Sequence, residues 1–201
     1  MITAQDKILY VASKLGLTSL KDMQASTGAV YDSDTELSGT IFSQAARHAN
    51  PSVTNINENQ FEVNEALLVE TIAFYVKDDQ NRARNFQEVY GSNAIIVFDL
   101  VIGNKRVMKD TPIFAAGTPY TFANTATVGG TVGEVTSSLY KPRHQVFMEG
   151  AGILIPPQVQ WYVQYTVFNI VTGAIIAPTA GTAIACYLFG TKVLLNFNTS
   201  I

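Results

Sequence analysis

Residues 158–168, QVQWYVQYTVF, alternate almost without fault. Val159, Trp161, Val163, Tyr165 and Val167 fall on one side, and Gln158, Gln160, Tyr162, Gln164 and Thr166 on the other. Side chains of a strand point to opposite faces with period two, so this stretch predicts one long β-strand whose odd face is a core face. At about 3.3 Å per residue it spans roughly 36 Å. The opposite face holds glutamine and tyrosine with no Lys or Glu, and what such a face touches is the question the sequence raises.

Charge placement sharpens that question. Charged residues make up 14% of the 201-residue chain, against about 25% in an average soluble domain. From Gly150 to Ile201 the one charged residue is Lys192. A free surface carries interspersed charges that keep a protein soluble and monomeric, so this region predicts a partner or a membrane. The uncharged run 167–190 is long enough for a transmembrane helix. Asn169, Gly173, Pro178 and Gly181 and its β-branched bias read instead as strand, turn-rich connection and strand, so no membrane span is expected. The net charge of −3 gives no reason to expect specific nucleic-acid binding. Cys186, the one cysteine, lies in the apolar run AIACYLFG and reads as a core thiol. Asp6, Lys7 and Lys14 interrupt any apolar leader, and no signal peptide is expected.

The first 60 residues read as a helical arm and polar linker. Thr3 with Asp6 forms a capping box ahead of Ile8, Leu9, Ala12 and Leu15, and Gly16 is a stop. Further short helices are expected over about 19–25 and 36–48, the latter presenting Leu37, Ile41, Phe42 and Ala45. Isolated helices shorter than about 12–15 residues are marginal in water, so the arm is expected to dock by Ile8, Leu9, Leu15, Ile41 and Phe42. The Asn-rich stretch 51–60 is the boundary. Residues 61–201 then read as a β-body, with strands expected over 66–77, 94–107, 119–122, 134–140, 144–148, 158–168 and 182–197 and a hairpin turn at Gly103-Asn104. The stretch 94–107, apolar on both faces apart from Asp99, predicts a buried central strand, and 126–133 a connector. Seven or eight strands with no intervening helical pattern predict an antiparallel sandwich or barrel, and the antiparallel β-sandwich is the fold class expected.

Reactive chemistry is sparse. His48 and His144 stand outside any metal-binding spacing. Lys141, Arg143 and His144 cluster in a solvated loop. Asp32, Asp34 and Glu36 miss the EF-hand pattern, whose sixth and twelfth positions fall on Leu37 and Ser43, and read as an acidic turn before a helix. Glu134 and Glu149 are the sole carboxylates of the body after Asp110 and read as loop acids rather than a glycosidase pair. Asn198-Thr199-Ser200 is a formal glycosylation acceptor. No enzyme activity and no cofactor are expected. Uncharged Gln158, Gln160, Tyr162 and Gln164 suit a face that another subunit covers, because burying charge there would cost desolvation.

A helical arm, long apolar strands, the LIPPQVQWYV stretch (154–163) and few candidate catalytic residues together resemble the jelly-roll virion structural proteins of bacteriophages. The resemblance is one of layout over residues 61–201 and carries no diagnostic motif. It implies a two-sheet, eight-strand roll in an icosahedral shell, assembling with copies of itself and with other virion proteins in the host cytoplasm. Vertex, connector and decoration roles compete with that of major capsid protein. The rival from another class is a carbohydrate- or receptor-binding β-sandwich, spike or lectin-like, with Trp161, Tyr162 and Tyr165 as stacking rings. Against it, the alternation puts Trp161 and Tyr165 on the core face and Tyr162 on the other.

Overall fold

The computed structural model describes residues 3–17, 23–35, 37–43, 53–56, 59–80, 82–84, 86–113, 120–128, 131–139, 146–147, 152–177 and 179–195. The first element is helix α1, Ala4–Leu15. The Thr3 hydroxyl accepts from the Asp6 N–H and the Asp6 carboxylate accepts from the Thr3 N–H, satisfying two donors that a helix start leaves unpaired. Gly16 closes the helix at φ 70°, a conformation glycine adopts without steric cost.

The rest is mainly β. One sheet, here sheet A, pairs β1 (Gln24–Asp34), β12 (Thr182–Leu194), β3 (Glu65–Asp78) and β10 (Ile153–Ile155) in that order, with β4 (Ala83–Arg84) and β9 (Val146–Phe147) also on β3. Sheet B has the order β2 (Thr40–Ile41), β11 (Trp161–Asn169), β5 (Ala94–Ile102) and β6 (Lys105–Ile113). Strands β7 (Tyr120–Val128) and β8 (Thr131–Leu139) form a separate hairpin, and α2 (Phe86–Tyr90) precedes β5. All pairings between strands are antiparallel.

The two sheets enclose one core. Val30, Leu67, Val69, Ile72, Phe74, Ile184 and Leu188 of sheet A meet Ile41, Ile96, Phe98, Leu100, Trp161, Val163 and Val167 of sheet B. Each such side chain contributes about 1.5–3 kcal/mol by leaving water. Trp161 is wholly buried between the rings of Phe42, at 4.6 Å, and Phe61, at 5.7 Å. The mainly β, antiparallel character predicted from alternation is what the two sheets show.

On the outer face of sheet A a second, smaller cluster docks α1, with Val11 packed on Leu68, Val193 and Leu195. A β-bulge prepares that seat: Gly190 pairs with Val69 and Phe189 with Thr71, leaving Glu70 out of the ladder. The displaced Glu70 accepts from Lys7 of α1 and from Thr191, each at 2.7 Å. Burial works against its charge, but these donors outweigh it and hold the carboxyl below its usual range. Only glycine fits at 190, because a Cβ there would collide with the Leu68 carbonyl.

Several sequence expectations need correction. Gln24 and Ala25 lie in β1, where a helix over 19–25 was expected; residues 18–22 fall outside the described residues. The helix expected over 36–48 is replaced by a turn and β2, with Leu37, Gly39 and Phe42 at φ 56°, 75° and 64°; residues 44–48 are not described. The N–H groups of Ser38 and Gly39 donate to the Asp34 carboxylate, and such side-chain bonds compete directly with helix formation. The first 60 residues therefore supply β1 and β2 to the sandwich in addition to α1. The long strand starts at Trp161 rather than at residue 158, because Gln158 sits at φ 56°. Residues 126–128 and 131–133, expected as a connector, are instead paired in β7 and β8; residues 129–130 fall outside the described residues. The 167–190 run is strand, turns and strand as expected, and among the described residues no helix is long and apolar enough to cross a membrane.

Candidate functional site

The alternation in β11 builds the candidate face on sheet B. Trp161, Val163, Tyr165 and Val167 point into the core, which leaves Tyr162, Gln164, Thr166 and Phe168 on the outside. Across β5 they pair with Val101, Asp99, Val97 and Ile95. Gln160 and Gln164 are exposed and Tyr162, Ile95, Val97 and Phe168 are half-buried. The Asp99 carboxylate is answered by Arg106 at 3.1 Å and by the Asp110 N–H at 2.6 Å. A shallow depression of about 350 Å³ lies beside Gln164, floored by Val97 and Thr166 and edged by Ser38 and Asp110. The face offers amide and hydroxyl groups, aliphatic surface, the Asp99–Arg106 pair and, at its edge, Asp110 paired with Lys109 at 3.8 Å. Such a surface can be covered by another protein without stripping water from an unpaired ion.

Of the predicted interface row, Gln160, Tyr162 and Gln164 share this face. Gln158 precedes the strand and is exposed, its N–H donating to the Phe61 carbonyl at 3.0 Å. The five docking residues of the expected arm do not come together. Leu15 packs at the margin of the α1 cluster and Ile8 is half-buried, but Leu9 is 45% exposed. Val11 and Ala12 bury the helix instead. Ile41 and Phe42 lie in the main core.

The sequence reading missed two further clusters. Asp32 and Asp34, read as an acidic turn before a helix, are 2% and 0% exposed. Asp34 accepts from the Ser38 N–H and hydroxyl, both at 3.0 Å, from the Gly39 N–H at 2.7 Å, and from the Tyr165 hydroxyl at 2.8 Å. It thereby ties β1 of sheet A to β11 of sheet B. Burial, then the neighbouring Asp34, push the Tyr165 hydroxyl far above its ordinary range, so it stays a donor. Asp32 accepts from the Phe42 N–H at 2.7 Å and holds its left-handed backbone. With its acceptor sites filled from the turn and from Tyr165, Asp34 is a structural clamp. The second cluster, on the outer face of sheet A, gathers Tyr31, Tyr75, Tyr187 and Phe189, with the Lys77 ammonium 5.8 Å from the Tyr31 and Tyr187 ring centres. Burial pulls the Lys77 pKa down, against the opposing pull of Asp32. The signal for this cluster was the period-two run Tyr187, Phe189 in β12; Tyr31 needed β1 to be recognised as a strand.

Cys186 is buried and its thiol is pushed well above its ordinary range by burial and by Asp32, which keeps it protonated. Among the described residues no three His, Cys, Asp or Glu side chains come together as a metal site. His48, Lys141, Arg143, His144, Glu149 and Asn198 lie outside the described residues, and Glu134 falls in β8. Trp161 and Tyr165 belong to the core and Tyr162 lies on the outer face, so the three stacking rings of the carbohydrate-binding rival do not share one surface. Comparison with protein-family models, with curated proteins and with solved structures finds no match.

Proposed function

We propose that this chain is a structural virion protein, capsid or capsid-associated, that assembles with copies of itself through weakly charged β-faces. The observation that carries the reading is the outer face of sheet B, where Gln160, Tyr162, Gln164, Thr166, Phe168, Ile95 and Val97 surround a single Asp99–Arg106 pair. The strand order supports a jelly-roll topology within the sandwich. Set aside β4, β9 and the β7–β8 hairpin, and number the remaining strands in sequence. First then pairs with last, second with second-last, third with third-last, and the middle two with each other, as in a long hairpin. The added pairings β12–β3 and β11–β5 are those made when such a hairpin rolls into two sheets. Partners would be further copies and other virion proteins, within the virion and during assembly in the host cytoplasm.

The test is Gln160→Lys combined with Gln164→Lys. Both side chains are exposed in the subunit, where lysine reaches water, so folding is expected to be unchanged and assembly to be lost. Normal particles from this variant would show that the face is ordinary surface.

A further inference from the structure

The edges of the two sheets differ in how they are closed. In sheet B, β2 has two residues, and the nine-residue β6 carries Lys105, Arg106, Lys109 and Pro112, with Asp110 at φ 47° interrupting its ladder to β5. Charges, proline and an irregular ladder are the devices that prevent an edge from pairing with another chain. On the far side of sheet A, β10 has three residues and β9 and β4 two each. The upper half of β1 is closed differently. Asn55 donates its N–H to the Tyr31 carbonyl at 3.1 Å, accepts the Tyr31 N–H at 2.7 Å, and donates its side-chain amide to the Ala29 carbonyl at 2.8 Å. One asparagine thus stands in for a strand.

Among the described residues the lower half of β1 has no such cover. The β1–β12 register runs from Gln24 to Asp34 without a shift, so every second residue points its backbone groups away from β12. Tyr31 and Ala29 do so toward Asn55; Ala25 and Thr27 follow in the same phase. Among the described residues nothing takes the N–H and C=O groups of Ala25 and Thr27. The local sequence QASTGA is small and uncharged, and Gln24, Ser26 and Thr27 are exposed. A groove of about 500 Å³ runs beside Thr27 and Gly28, with Asn55, Gln60 and Glu62 on its other side.

We propose that this edge pairs with the same edge of a second copy, antiparallel about a two-fold axis at Ser26. An isologous contact needs a self-complementary patch, and an antiparallel edge centred on one residue is self-complementary by construction. Ala25 pairs with Thr27 of the second copy and Thr27 with its Ala25, which makes four backbone hydrogen bonds and joins the two A sheets into one. The small side chains of Ala25, Ser26 and Thr27 permit the approach, and Gln24–Ala29 of the edge carries no lysine or proline. The inference rests on the self-assembly reading and names a surface for it distinct from the face of sheet B.

Two variants test it in the full chain. Ser26→Cys places two thiols across a non-hydrogen-bonded pair, with Cα atoms about 4.5 Å apart, within disulfide range. Mild oxidation should convert most of the protein to a disulfide dimer, while Thr172→Cys in the exposed turn after β11 should give none. Thr27→Pro removes an N–H that points away from β12, a place where an edge strand tolerates proline. It should fold and weaken association by at least about tenfold, as the loss of intersubunit hydrogen bonds implies. An assembling protein in which Ser26→Cys does not cross-link, or in which Thr27→Pro associates normally, overturns the edge pairing and leaves self-assembly standing. A wild-type chain that stays monomeric at all concentrations overturns both.

Discussion

Replacing Tyr165 by phenylalanine removes one atom, and the structure sets what that atom is worth. The Tyr165 hydroxyl is the donor that joins sheet B to the Asp34 carboxylate of sheet A, at 2.8 Å and out of solvent. A hydrogen bond to a charged acceptor contributes about 1.5–3 kcal/mol, and Asp34 keeps its donors from Ser38 and Gly39, so Tyr165→Phe should cost about 1.5–3 kcal/mol. Asp34→Ala is harsher. It strips the acceptor from the Ser38 and Gly39 amides and leaves the Tyr165 hydroxyl buried without it, for about 3–5 kcal/mol in total. In the double variant the phenol no longer needs a partner, so the combined cost should fall short of additivity by about 1–3 kcal/mol. Urea unfolding followed by circular dichroism at fixed protein concentration measures all four corners of the cycle. A cost below about 0.5 kcal/mol for Tyr165→Phe, or additivity within about 0.3 kcal/mol, would show that the two sheets are not tied through this bond.

Trp161→Ala should cost about 3–5 kcal/mol in the same assay, since a wholly buried ring between Phe42 and Phe61 leaves a cavity. Removing residues 1–17 should leave the sandwich folded while exposing Leu68, Val193 and Leu195 to a hydrophobic dye, whereas removing 1–50 deletes β1 and should unfold the chain by circular dichroism. Alkali should destabilise the fold. Burial raises the Cys186, Tyr90 and Tyr165 pKa values above their ordinary 9.0 and 10.0, so the native state keeps protons that the unfolded chain releases. Their contribution is whole below about pH 9 and shrinks as pH rises beyond it; unfolding midpoints constant from pH 8 to 11 would contradict this.

The core-facing half of the fold was legible because it is written locally. Trp161, Val163, Tyr165 and Val167 alternate within one strand, and Thr3, Asp6 and Gly16 mark the ends of a helix without reference to the rest of the chain. Strand β1 was not legible for the opposite reason. Its inner face carries Asp32 and Asp34, residues that local pattern places in water; the Phe42 N–H and, 131 positions from Asp34, the Tyr165 hydroxyl make them tolerable inside. Asp34 draws Ser38 and Gly39 into a turn and Asp32 holds Phe42, which is why Leu37, Ile41 and Phe42, spaced as for a helix, end in a strand corner. Gln158 shows the limit of alternation itself: the pattern continues through it, but the backbone turns there, and spacing alone does not report φ. The outer row of Gln160, Tyr162 and Gln164 was legible in position. Its meaning depends on contacts between chains, which no single chain encodes by pattern.

Self-assembly through surfaces that carry little charge is measured by light scattering with electron microscopy on the purified chain at micromolar concentration, in low and in high salt. The expected result is a closed oligomer or shell whose mass changes little with salt, because the contacts are not ion pairs. A uniform species with the mass of one chain at every salt concentration would contradict it.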